Sequence, residues 1–201
     1  MTEKKEEKLS PYKATTGKIR YISGLKNESY QNALLAKLRR GMNKAPGEDP
    51  DLWGIMYGNM DESFFENNYG AAPTRYEWAV YIAITLFAHH QQGYDINARP
   101  MYKQGVPFAS ALSRLVIDDS DCQKLFKKID RATSSDDVQT FAAYLRRLID
   151  PLKKEGIAFD YGELAEDIFK WQFDDGPEKI NLLWGRKFGS EYTKNHTINE
   201  N

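Results

Sequence analysis

The sequence predicts an all-α fold, a helical bundle of about seven to eight helices packed around a buried central helix at about 75–91. Three observations carry that expectation. Residues 75–92 read RYEWAVYIAITLFAHHQQ, where only Glu77 and Thr85 are clearly polar between Tyr76 and Ala88. Such a run falls short of the roughly 20 residues a bilayer span needs, so it reads as a core helix. The flanking segments place apolar residues at helical spacing, and none alternates with the period of two that marks a strand. No fixed-period repeat interrupts the pattern.

The central helix carries its own boundaries, with Thr74 as N-cap, Glu77 as its capping-box partner and Gly93 as the stop. Residues 1–25 are polar, of mixed charge and interrupted by Pro11, Gly17 and Gly24, and are expected to form a flexible or partner-ordered N-terminal extension. A first helix is expected over 28–41, with Leu34, Leu35 and Leu38 on one face and Lys37 and Arg40 away from it. A short segment with Trp53, Ile55 and Met56 follows, then a long loop over 59–74 carrying Phe64, Phe65 and Tyr69. Beyond the central helix, a loop over 93–106 leads to helices over 107–117 and 119–131. A longer helix, capped by Ser134 or Ser135, runs to about 155, where Gly156 stops it; Pro151 lies inside the pattern as a kink or an early end. Two amphipathic helices, 160–171 with Asp160 as N-cap and 177–192, complete the bundle, and 196–201 is expected to be a disordered tail. Residues 26–195 read either as one helical domain or as two packed halves, 26–106 and 107–195. Trp78, Trp171, Phe173, Trp184 and Phe188 are expected in the core.

The formal net charge of −1 hides strong segregation. Residues 13–44 carry eight Lys/Arg against the single Glu28, and 48–66 carry six acids with no Lys/Arg. From Lys124 to Lys154 eight basic residues face four acids, and from Glu155 to Glu178 eight acids face Lys170 alone. The distribution of charge, rather than its sum, therefore bears on partners. The single Cys122 excludes an intramolecular disulfide and any cysteine-based metal cluster, which suits a reducing compartment. The opening MTEKKEEKLS has no apolar core of the signal-peptide kind, and a cytoplasmic protein is expected.

Few residues are patterned for chemistry. Arg146–Arg147 and Lys153–Lys154 stand seven apart in one helix, so Arg147 and Lys154 stack opposite its apolar face while Arg146 and Lys153 share a flank. With Lys124, Lys127, Lys128 and Arg131 one helix earlier they can make a contiguous basic surface, which would hold phosphates through charge without reading sequence. The bland account is a solvated helical face. His89 and His90 diverge by about 100° on a helix and lack the spacing of a metal pair, so packing or capping suits them better. Glu163, Glu166 and Asp167 suit the N-terminal end of a helix better than a hard-cation site. No P-loop, GxGxxG, GxSxG or zinc pattern is present, and neither a catalytic residue, a metal nor a cofactor is expected.

Taken in order, ALLAKLRRG (33–41), EWAVYIAITLFAHHQ (77–91), GVPFASALSRL (105–115), LFKKIDRATSSDDVQTFAAYLRRLIDPLKKEG (125–156) and FDYGELAEDIFKWQ…LLWGRKF resemble the CasB family, the small subunit of the type I-E CRISPR effector complex, Cascade. The resemblance covers about residues 26–190. It implies a helical, non-enzymatic subunit that pairs with a second copy of itself and contacts the backbone and large subunits of Cascade. It further implies binding of the displaced DNA strand and of the guide RNA–target path through basic surfaces, which stabilises the R-loop in antiviral defence. Carried over by position, the nucleic-acid-binding residues are Arg39 and Arg40 of LRRG, Arg146 and Arg147 of LRRL, and Lys124, Lys127, Lys128 and Arg131 of the preceding helix. Ser110 stands where the family often has a basic residue, a duty that Arg114 is placed to take. A helical scaffold whose charged faces serve only protein–protein docking is the alternative, and a metal-dependent hydrolase using His89 or His90 with Glu163 and Asp167 is a remote third.

Overall fold

Apolar on nearly every side, the segment expected at the centre forms helix α4, Arg75–His90, and every residue from Ala79 to His90 is buried. The computed structural model describes residues 10–58, 70 and 72–197, without the side chains of 119 and 195–197; most of the loop expected over 59–74, and the tail from 198, lie outside these. Before α4 come α1 (Pro11–Ser23), α2 (Glu28–Gly41), a 3-10 turn (Pro50–Leu52) and the short α3 (Trp53–Tyr57). After it come α5 (Phe108–Ser113), α6 (Asp119–Thr133), α7 (Val138–Glu155), α8 (Tyr161–Trp171) and α9 (Gly176–Thr197). Among the described residues the fold is thus all-α, its one extended pairing being a single parallel bridge between Tyr102 and Phe159. Helices α1, α2, α7 and α8 surround α4, and α5, α6 and α9 pack as a further layer on α7 and α8.

The start of α4 follows from its sequence. The Glu77 N–H donates to Thr74 Oγ1 at 3.2 Å, and the Thr74 N–H donates to Glu77 Oε2 at 2.7 Å. This reciprocal pair satisfies two donors that a helix start leaves orphaned. Helix α2 crosses α4 at Gly41, whose carbonyl accepts from the Tyr81 hydroxyl at 2.7 Å. A Cβ at Gly41 would stand 2.6 Å from that hydroxyl and 2.7 Å from Leu52, so the missing side chain sets the approach of the two helices.

Three sequence expectations are corrected. From Pro11 onward the chain is no loose extension: α1 is capped by Ser10, begins with Pro11, and buries Thr15, Thr16, Lys18, Ile19 and Ile22 against α4 and α8. Its inner face is built from short polar residues as well as aliphatics, so the apolar periodicity is weak. Glu166 ties it down, accepting from Ser10 Oγ at 2.9 Å and from the Tyr12 N–H at 3.2 Å. Helix α7 is capped by Asp137, which accepts from the Thr140 N–H at 2.8 Å, while Ser134 closes α6. Pro151 remains inside α7, and Gly156, at φ +63°, ends the helix. Of the expected core aromatics, Trp171, Trp184 and Phe188 are buried, Trp78 is half-buried, and Phe173 is 40% exposed with the Arg75 guanidinium 4.7 Å over its ring.

Candidate nucleic-acid interface

The basic residues separate into two groups on opposite flanks of α7. On the flank facing α2, the Arg39 guanidinium reaches the Ala88 carbonyl, Nη1 to O at 3.5 Å, in the last turn of α4. A cation suits that position because a helix C-terminus presents carbonyls and a partial negative charge. Burial, and then the neighbouring Arg40 charge, push the Arg39 pKa down, yet a guanidinium stays charged at neutral pH. Lys153, two turns from Arg146 and so about 10 Å along α7, donates to Gln92 Oε1 at 2.9 Å. Its pKa is lowered mainly by burial, and further by the charges of Arg39 and Arg146, against the opposing pull of Asp150. Those couplings bring Arg39 of α2 and Arg146 of α7 each within charge range of Lys153, a cationic cluster drawn from two helices.

Asp150 lies beside this cluster, attracting Lys153 while it also bonds to His89. Asp150 Oδ1 lies 2.6 Å from His89 Nε2. Burial lowers the His89 pKa, and the hydrogen bond to Asp150 works against that shift. His90 points inward, with Nδ1 3.0 Å from the Tyr161 hydroxyl, and burial brings its pKa down to about 4. Both histidines are therefore packing groups at the end of α4.

On the other flank, Arg131 of α6 donates from Nε to the Tyr144 hydroxyl at 3.0 Å and lies 5.5 Å over the same ring. Arg147 of α7 stands 5.2 Å over that ring. Lys127 and Lys128 are exposed with no ion pair among the described residues, whereas Lys124 is paired with Asp121 at 3.2 Å. The sequence-expected surface joining Arg146 and Arg147 with the α6 lysines is thus split: the doublet straddles the outer ridge of α7. Arg40 is exposed on α2, and its charge helps to lower the pKa of Asp49, whose main partner is Lys44 at 3.0 Å. Lys37 pairs with Asp51 at 3.4 Å.

Other candidates have structural employment. Ser110 is buried and donates to the Lys187 carbonyl at 3.2 Å, while Arg114, the expected substitute, is held by Glu191 at 3.0 Å. Glu163 pairs with Lys187 at 2.9 Å, and buried Asp167 accepts from Trp184 Nε1 at 2.8 Å. Burial raises the Asp167 pKa against the opposing effect of that hydrogen bond. Among the described residues, no three His, Cys, Asp or Glu side chains converge on a point where a metal could sit. Lys153 is absent from the residues carried over from the family resemblance, although helix geometry puts it on the Arg146 flank. Its spacing of seven from Arg146 was the available signal.

Taken together, the described residues form an all-helical protein that displays most of these cations on the outer surfaces of a bundle, with His89, His90 and the α8 carboxylates tied into packing. It belongs to the family of the CRISPR-associated protein Cse2, whose model matches residues 34–188. This is the CasB family, the family of a structural subunit of the CRISPR effector complex Cascade. CasB from Thermobifida fusca is similar to this chain at 26% identity and a TM-score of 0.70, over 89% of this chain and 97% of that one. CasB from Thermus thermophilus matches at 20% identity and a TM-score of 0.64, over 90% and 99%. A CRISPR-associated protein of the Cse2 family, also from Thermus thermophilus, matches at 18% identity and a TM-score of 0.65, over 90% and 99%. A comparison with curated proteins finds no match. Among the described residues, no helix is long and apolar enough to cross a membrane.

Proposed function

We propose that this chain is the non-catalytic, cytoplasmic small subunit of a type I-E Cascade. In this reading its basic flanks hold nucleic acid, namely the displaced DNA strand and the guide RNA–target path, and so stabilise the R-loop. The observation that supports it most is that Arg39 of α2 and Arg146 of α7 both lie within charge range of Lys153, so that cations from two helices gather on one flank beside the Asp150–His89 pair. Forming an R-loop exchanges one duplex for another of similar stability, so sequence-blind contacts to the backbone are enough to tip it. A positive groove tracking one strand supplies such contacts.

Replacing Arg146 and Arg147 with alanine tests the reading in the assembled complex. Target binding weakens, and the slope of log affinity against log salt falls by about 0.7 for each single-strand phosphate no longer held. An unchanged slope with normal assembly would sink the proposal.

A second reading, docking to the backbone and large subunits or to a second copy, is favoured at another surface. Phe173, Ile180, Leu182 and Leu183 line an open groove of about 630 Å³ on α8 and α9, rimmed by Lys170 and Arg186. Leu182 is 55% exposed there, and exposed apolar surface of this kind marks protein contacts.

A further inference from the structure

We propose that the notch between the end of α2 and the middle of α7 receives one unpaired nucleobase of a strand whose phosphates lie on the Arg39–Arg146–Lys153 flank; the inference rests on the nucleic-acid reading of that flank. The notch encloses about 180 Å³, with Trp78, Tyr81 and Leu86 of α4 among its lining residues and Lys44, Gln139 and Arg146 on its α2 and α7 sides. Sites for drug-sized ligands run to roughly 300–1,000 Å³, so this space suits a single ring system rather than a helix or a strand of peptide. No carboxylate is among the residues that line it; of its two cations, Lys44 is paired with Asp49 at 3.0 Å and Arg146 has no ion pair among the described residues. Arg146 can thus meet a phosphate of the strand at the rim, while the apolar, aromatic wall selects a flat, uncharged ring.

The hydrogen-bonding state of Trp78 sharpens the assignment. Three of the four tryptophans give their indole N–H to the chain: Trp53 to the Gly47 carbonyl at 2.8 Å, Trp171 to the Thr133 carbonyl at 2.8 Å, and Trp184 to Asp167 at 2.8 Å. The Trp78 indole N–H has no hydrogen-bond partner among the described residues, and its ring is half-buried in the notch wall. Gln139, exposed at the rim, likewise makes no side-chain hydrogen bond within the described chain. An aromatic face with unused donors and acceptors beside it matches a base, which offers a π-face and polar edges. Arg146 belongs both to the notch and to the cationic cluster, so a strand held on the flank passes the opening.

The test compares a short fluorescent thymidine oligonucleotide with an abasic strand of equal length and charge, binding to the full chain at low salt. The abasic strand should bind about fivefold more weakly or worse, the loss expected of one base–aromatic stack. Ala143 is exposed at the notch, so Ala143→Trp should fill the opening without disturbing the core and bring the two affinities within twofold of each other. Trp78→Leu should do the same, whereas Arg146→Ala should weaken both strands alike. Equal affinities for the two strands in the unaltered chain, each with a normal salt slope, would overturn the notch while leaving the flank intact. No binding of either strand would overturn both. An Ala143→Trp chain that keeps the full preference but no longer joins Cascade would overturn it in favour of a protein side chain as occupant.

Discussion

The two flanks of α7 carry similar charge but hold it differently. On the α2 side, Arg39 is half-buried against the Ala88 carbonyl and Lys153 is fixed to Gln92, so two of the three cations are anchored before any ligand arrives. On the α6 side, Arg131 and Arg147 share the Tyr144 ring, while Lys127 and Lys128 extend into solvent. Ordering a free lysine side chain costs up to about 2 kcal/mol of rotamer freedom, so anchored cations bind phosphate with a smaller entropic loss. On the proposed function, anchoring rather than the number of charges would decide which flank holds phosphate more tightly.

The most forceful way to break the difference is to move α2. Gly41→Ala places a methyl against Tyr81 and Leu52 and should destabilise the fold by about 1–3 kcal/mol, the usual cost of overpacking. Urea unfolding measures the loss. A chain of unchanged stability would show that α2 is free to retreat from α4. Because α2 carries Arg39, strand affinity should fall as well.

Acid should act on the same end of the molecule, because His89 and His90 lie beneath the α2-side flank. The folded chain keeps His90 neutral down to about pH 4, whereas an unfolded histidine takes its proton near 6.5. The unfolded state thus binds more protons between those values, and stability is lost as the pH falls through that window. From pH 7 to pH 5 the loss from this group should be about 2 kcal/mol. His90→Gln should remove that share of the pH dependence in urea midpoints, and a wild-type midpoint that stays level over the same range would contradict a buried neutral His90.

The smallest effect separates the flanks directly. Arg39→Ala with Lys153→Ala should lower the salt slope by about 1.4 if each cation meets one single-strand phosphate. Lys127→Ala with Lys128→Ala should lower it by less, because unanchored lysines hold phosphates only part of the time. Equal changes from the two pairs would erase the distinction drawn between anchored and free cations.

Much of the fold is legible in local pattern. The apolar run of α4, its Thr74–Glu77 capping box and the Asp160 cap of α8, which accepts from the Gly162 N–H at 2.9 Å, are all features whose physics is complete within a few residues. Helix α1 is not legible, because Thr15, Thr16 and Lys18 do not announce burial. The start of α7 is ambiguous in sequence because Ser134, Ser135 and Asp137 are all competent caps, and only the tertiary position of α6 assigns Ser134 to its end. At the candidate interface, the divergence of Arg146 from Arg147 follows from helix geometry alone. That Arg39 of α2 would lie within charge range of Lys153 of α7 follows from nothing near it in the chain.

By itself the sequence determined the helices from α2 onward and several of their caps, since periodicity and capping are contacts between near neighbours. The tertiary structure alone decided which cations lie near one another, which carboxylate meets His89, and where the Trp78 indole N–H stands without a partner among the described residues. Those outcomes depend on how α2 and α7 pack against α4, and at Gly41 that packing is set by the room one absent side chain leaves.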